Sequence, residues 1–103
     1  MTRLEDVLRQ RGDRYGEFAD NAHIAQELKA VLERGENYHK LDDTQTEGLS
    51  MICTKISRII TGDPDYDDNW KDIAGFAELV YKHCVKKAED QPKPLGTVGL
   101  YDE

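Results

Sequence analysis

Apolar residues recur at helical spacing in four stretches of this chain, and polar, glycine-bearing segments separate them. The first stretch opens at Thr2-Arg3-Leu4-Glu5. There a threonine hydroxyl can accept from the amide three residues on, while the glutamate reaches back. Leu4, Val7 and Leu8 follow, which predicts a short helix over 3–11. Gly12 and Gly16 flank Asp13-Arg14-Tyr15 and predict a turn. A second helix is expected over 17–34 from Phe18, Ala22, Ala25, Leu28 and Leu32, with Gly35 as its stop. Thr44-Gln45-Thr46-Glu47 has the form of a second capping box. It leads into the strongest amphipathic run, Leu49, Ile52, Cys53, Ile56, Ile59 and Ile60, which predicts a helix over 44–61. Gly62 and Pro64 end it. A fourth helix is expected from about 69 to 89 on Ile73, Ala77, Val80, Cys84 and Ala88, with Ala74 and Gly75 small enough for close helix approach. No run alternates as a strand does. The predicted fold is all-α: a small bundle of three long helices and a short N-terminal one. It forms a single domain over 1–90, with a Pro/Gly-containing tail over 91–103.

Composition narrows the function classes. Fourteen basic against 21 acidic residues give −7, with a pI near 4.9. That balance is unsuited to binding nucleic acid by phosphate neutralisation. No apolar run approaches the ~20 residues of a membrane span. The opening residues lack the apolar core of a signal peptide. A cytoplasmic protein is therefore expected, with Cys53 and Cys84 as thiols inside helical patterns and not as a disulfide. Helices of this length bury little apolar area against the entropy of ordering them, so a homo-oligomer is expected.

Candidate chemistry gathers at three places. Asp63-Pro-Asp65-Tyr-Asp67 begins like a calcium-binding loop, but position six is Asp68 and position twelve is Ala74, so that reading fails. Asp68 and Asp72 stand one helical turn apart and are candidate ligands for Mg²⁺ or Mn²⁺, held with substrate phosphates and water. Helix capping is the alternative reading of these aspartates. Lys55 and Arg58 lie at the edge of the third helix's apolar face. They are a candidate phosphate-binding pair; the alternative is an inter-helix salt bridge, in which Arg58, near the start of the fourth helix in an antiparallel hairpin, pairs with Asp68 or Asp72. The basic, Gly-flanked run Arg11-Gly-Asp-Arg14-Tyr15-Gly16 before the second helix could place amides and a guanidinium at an anion, or form a helix–helix turn with Tyr15 packed on the core. Trp70 and Tyr15 are candidates for stacking on a base. No nucleophile elbow, Walker loop or dinucleotide fingerprint is present.

The order Arg14-Tyr15-Gly16, Asn21 with Ile24-Ala25, Lys55-Ile-Ser-Arg58-Ile59 and Asp68-Asn-Trp70-Lys-Asp72-Ile-Ala-Gly-Phe76 resembles a family of small proteins of unknown function common in tailed bacteriophages and prophages. The resemblance spans residues 10–84, and Trp70 to Phe76 is its most specific part, with Phe76 where tyrosine is expected. More weakly, the chain resembles the MazG-like nucleoside triphosphate pyrophosphohydrolases. These are all-α enzymes that hold Mg²⁺ on E-x-x-E and E-x-x-D clusters and dimerise or tetramerise. This chain has no E-x-x-E on its second helix, and Asp68 and Asp72 are spaced by four. The resemblance implies a phage accessory protein in the cytoplasm of a bacterial host, binding or hydrolysing a nucleotide with Mg²⁺. The alternative is a non-enzymatic acidic protein that binds a host defence protein or sequesters a nucleotide signal. A third reading is an assembly module whose tail residues Leu95, Val98, Leu100 and Tyr101 dock on a neighbour.

Overall fold

The computed structural model describes residues 2–91. All but the first residue of the expected 91–103 tail lies outside them. Helix α1 runs Arg3–Tyr15 and begins with the expected capping box, Thr2 with Glu5. It extends four residues beyond the expected end: Gly12, Asp13 and Arg14 are helical, not a turn. A glycine inside an exposed helix costs only about 1 kcal/mol, so Gly12 does not stop it. Gly16 does. It adopts φ 79°, a region that favours glycine, and its N–H donates to the Gly12 carbonyl at 2.8 Å. Helix α2 spans Phe18–Glu33, and a single 3₁₀ turn at Tyr38–Lys40 leads onward.

Helix α3 covers Asp43–Thr61, and its capping box is Asp42 with Gln45, two residues before the expected one. Tertiary structure decides this register. Asp42 also meets His83 Nε2 at 2.8 Å and Lys87 Nζ at 2.9 Å, which fasten the last turns of the fourth helix to the start of α3. The Gln45 amide, His83 and Lys87, in that order, hold the Asp42 carboxyl well below the usual carboxylate range. Helix α4 spans Asp67–Glu89, two residues earlier than expected. Tyr66 is its N-cap, and Asp67 and Asp68 occupy the first turn at the positive end of the helix dipole.

The four helices do not close into a bundle. α3 lies in the middle, with α2 on one side and α4 on the other, while no Cα of α2 approaches one of α4 within 8 Å. α1 reaches α2 and α3 only. The result is an open layer with a thin core: Ala25, Cys53 and Ile59 are the buried apolar side chains among the described residues. Burial pushes the Cys53 thiol pKa up, which keeps it protonated and unreactive. The close helix approach occurs at Gly48, where an added Cβ would overlap Val80. Gly75, expected in that role, has open space around it. No helix among the described residues is long and apolar enough to cross a membrane.

Candidate functional site: an arginine–tyrosine cleft at the α1–α2 elbow

The site grows out of the point where α1 ends. Gly16 and Gly62 sit where the C-termini of α1 and α3 touch backbone to backbone. A Cβ on Gly16 would overlap the Thr61 carbonyl, and one on Gly62 would overlap the Arg14 carbonyl. Three hydrogen bonds pin the elbow. Asp63 N–H donates to Arg14 O at 2.9 Å, and the buried Asn21 donates its Nδ2 to Tyr15 O at 3.3 Å. The Thr61 hydroxyl lies 2.8 Å from Tyr15 O and 2.9 Å from Ser57 O and shares its one proton between them. Tyr15 is thereby held against α3, although 43 positions separate it from Arg58.

Around Tyr15 the side chains alternate cation and ring. Arg58 lies over the Tyr15 ring, its guanidinium carbon 4.9 Å from the centroid, and Arg11 lies over it at 5.2 Å. Tyr66 meets Tyr15 edge-on, with centroids 5.8 Å apart. Arg14 lies over the Tyr66 ring at 5.0 Å and donates to its hydroxyl at 3.3 Å. That hydroxyl in turn donates to Asp68 Oδ2 at 2.8 Å. The hydrogen bond to Asp68 and the partial burial of the phenol raise the Tyr66 pKa, so the phenol stays protonated at neutral pH. Each such cation–ring contact contributes about 0.5–1 kcal/mol at a surface.

Arg11, Tyr15 and Arg58 open onto a cleft of about 450 Å³, with Leu8 and Phe18 as apolar walls and Asn21 at the α2 side. That volume falls in the ~300–1,000 Å³ range of small-molecule sites. Arg9, Asp13 and Glu17 complete the rim, so three arginines face two carboxylates on a chain whose overall charge is −7. Arg9 is bridged to Asp6 at 3.1 Å. Among the described residues, no carboxylate is paired with Arg11 or Arg58. Two guanidiniums held by a ring, neither of them in an ion pair among the described residues, are equipped to receive a phosphate or carboxylate.

The expected site residues divide. Arg14, Tyr15 and Arg58 come together, and Asp68 joins them through Tyr66. Lys55 does not: its ammonium pairs with Asp72 Oδ2 at 2.9 Å, an inter-helix salt bridge made by Lys55 and not by Arg58, the cation expected there, which lies over Tyr15 instead. Trp70 is also apart, donating its indole N–H to Pro64 O at 2.9 Å. Asp68 and Asp72 are engaged separately, one by a phenol and one by Lys55. Placing an ion on Asp72 would leave Lys55, whose side chain is only 12 % exposed, without its counter-charge. Among the described residues, no group of three His, Cys, Asp or Glu side chains converges on a common point. Asp68 and Asp72, the expected Mg²⁺ or Mn²⁺ pair, are thus each bonded to a different side chain of the protein. Sequence reasoning missed Tyr66, hidden in the aspartate-rich linker. Its only signal was an aromatic residue between two acidic ones.

Residues 2–83 match the model of a domain of unknown function, DUF6378. The chain belongs to the DUF6378 family. The matched span of this DUF6378 chain contains α1 to α3 and most of α4, so every residue of the arginine–tyrosine cleft lies inside the family domain. The comparison with curated proteins and with solved structures finds no match.

Proposed function

We propose that this DUF6378 protein binds a small phosphorylated ligand of the nucleotide class in the Arg11–Tyr15–Arg58 cleft, as a binding protein and not as a magnesium-dependent hydrolase. The observation that carries the reading is that two guanidiniums without carboxylate partners flank one aromatic ring on the wall of a ligand-sized cleft. The arginines take the phosphate by charge-assisted hydrogen bonds. Tyr15, Leu8 and Phe18 supply ring and apolar surface to the rest of the molecule. Preference for binding over hydrolysis follows from Asp68 and Asp72, whose carboxylates are already committed to Tyr66 and Lys55. In the phage setting implied by the resemblance of the Trp70 to Phe76 run, such a protein would withdraw a nucleotide signal from its host.

The test is thermal melting against a panel of nucleotides and inorganic phosphate, each with EDTA and with Mg²⁺. A ligand at 100 times its Kd adds about 2.7 kcal/mol of stability, a shift of roughly 10 °C or more for a domain this small. The expected result is a shift for one nucleotide class that survives EDTA. Arg58→Ala should weaken binding about 10- to 150-fold, from the ~1.5–3 kcal/mol of a hydrogen bond to a charged group. A flat panel, or a shift indifferent to Arg58→Ala, overturns the assignment. A shift that requires Mg²⁺ and is accompanied by turnover restores the hydrolase reading.

A further inference from the structure

Helix α3 leaves half of its apolar stripe uncovered. Leu49, Ile56 and Ile60 on α3 recur at i, i+7 and i+11 and are 37 %, 37 % and 68 % exposed. Ile52 lies among them, and with Leu49 it forms one wall of a groove whose other wall is Ala77, Val80 and Tyr81 of α4. Tyr81 is 68 % exposed, and Trp70, eleven residues before it on the same side of α4, is 56 % exposed. This apolar face belongs to the middle of an open layer, where stable domains stack a second layer.

We infer that this face is the twofold interface between two copies of the chain, with the α3 stripes packed antiparallel so that Leu49 of one copy meets the Ile60 end of the other. Three observations select a second copy as the occupant. The chain's own helices bury just three apolar side chains among the described residues. Cover is thus needed whenever the chain is folded, and a second copy is always available in equal amount. The series Gln45, Leu49, Ile52, Ile56 and Ile60 contains no charge. A twofold face must be complementary to itself, and this one is, although each chain carries −7 overall. Finally, Leu49, Ile56, Ile60, Trp70 and Tyr81 together leave roughly 500–600 Å² uncovered per copy, enough for two copies to clear the ~1,000 Å² total of a specific interface.

Pairing on this side leaves the cleft open. Arg58 lies two residues from both Ile56 and Ile60, and at ~100° per residue that is the opposite side of α3. The interface is therefore independent of the ligand proposal, and either can fail without the other.

The experiment is sedimentation velocity on the full chain over a dilution series, with melting at each concentration. The expected species has twice the 11.8 kDa chain mass, with a Tm that rises with concentration. Ile60→Glu should give the single-chain mass and a lower Tm. Leu79→Glu, at a side chain 64 % exposed on another side of α4, should leave the mass unchanged. A wild-type monomer with a concentration-independent Tm overturns the inference, and so does any larger assembly. An Ile60→Glu protein that keeps the dimer mass moves the interface elsewhere and overturns it too. If Ile60→Glu fails to fold, the wild-type dilution series still decides. A monomer whose Tm nevertheless falls with Ile60→Glu would place a segment of the same chain on the face, against the inference.

Discussion

Gly16→Ala is the sharpest perturbation of the elbow that builds the cleft. Two costs combine there. Gly16 holds φ 79° with ψ −176°, a region essentially reserved for glycine, and forcing alanine into it costs about 1–3 kcal/mol. The new methyl would also overlap the Thr61 carbonyl, to which α1 is backed without a gap. Overpacking of that kind costs about 1–3 kcal/mol more. The sum is about 2–6 kcal/mol, comparable to much of the stability of a small domain. At about 4–8 °C per kcal/mol for a chain of this size, the Tm should fall by at least ~8 °C. Gly75→Ala is the matched control. Its Cβ meets nothing within 4 Å inside α4, so it should be neutral or gain about 0.5–1 kcal/mol from helix propensity. Circular dichroism melting of both variants reads the difference. A Gly16→Ala protein melting within ~2 °C of wild type would refute the account of the elbow, and with it the reason Tyr15 reaches Arg58.

Further outcomes test other joints of the structure. Asp72→Asn leaves the Lys55 ammonium with little water and no counter-charge. Urea unfolding should show a loss of about 1–3 kcal/mol, moderated because Asp72 itself is half exposed. The Asp42 carboxyl has a depressed pKa when folded. Its contribution to stability is therefore complete above its unfolded pKa of about 3.9 and is lost as pH falls below that. Between pH ~5 and ~2 the wild-type Tm should drop more steeply than that of Asp42→Asn, and parallel curves would remove Asp42 from the acid transition. Asn69 is 1 % exposed, and neither its Nδ2 nor its Oδ1 has a hydrogen-bond partner among the described residues. Asn69→Leu should be neutral or raise stability by about 1–3 kcal/mol, since an unpaired buried amide is replaced by an apolar group of similar shape. A clear loss in chemical denaturation would show that the amide is satisfied in solution.

The all-α class, the approximate placement of four helices and several of their ends were legible in the residues alone. Those features depend on residues within a turn or two of one another. Thr2 with Glu5 caps α1 because the Thr2 hydroxyl accepts from the Glu5 amide while the Glu5 carboxylate reaches back to accept from the Thr2 amide. Gly35 follows the end of α2, its N–H donating to Leu32 O at 3.0 Å. Part of the candidate site was also legible, since Arg14, Tyr15 and Arg58 carry chemistry whatever their surroundings. Tertiary structure alone decided what those groups do. Gly12 and Gly16 look equivalent along the chain, but only Gly16 lies against Thr61, so only it ends α1. Asp42 outcompetes Thr44 as the α3 cap while His83 and Lys87, about forty positions away, hold the same carboxylate. Lys55 is turned into a structural cation by Asp72, and Arg58, three residues on, is left over Tyr15 without a carboxylate. Apolar periodicity marks which side of α3 seeks cover. It cannot say which neighbours supply it, and here α2 and α4 take opposite flanks and leave Leu49, Ile56 and Ile60 outside. Local hydrogen bonding writes helices into a sequence, whereas charge pairing and burial depend on the residues that folding brings within a few ångströms.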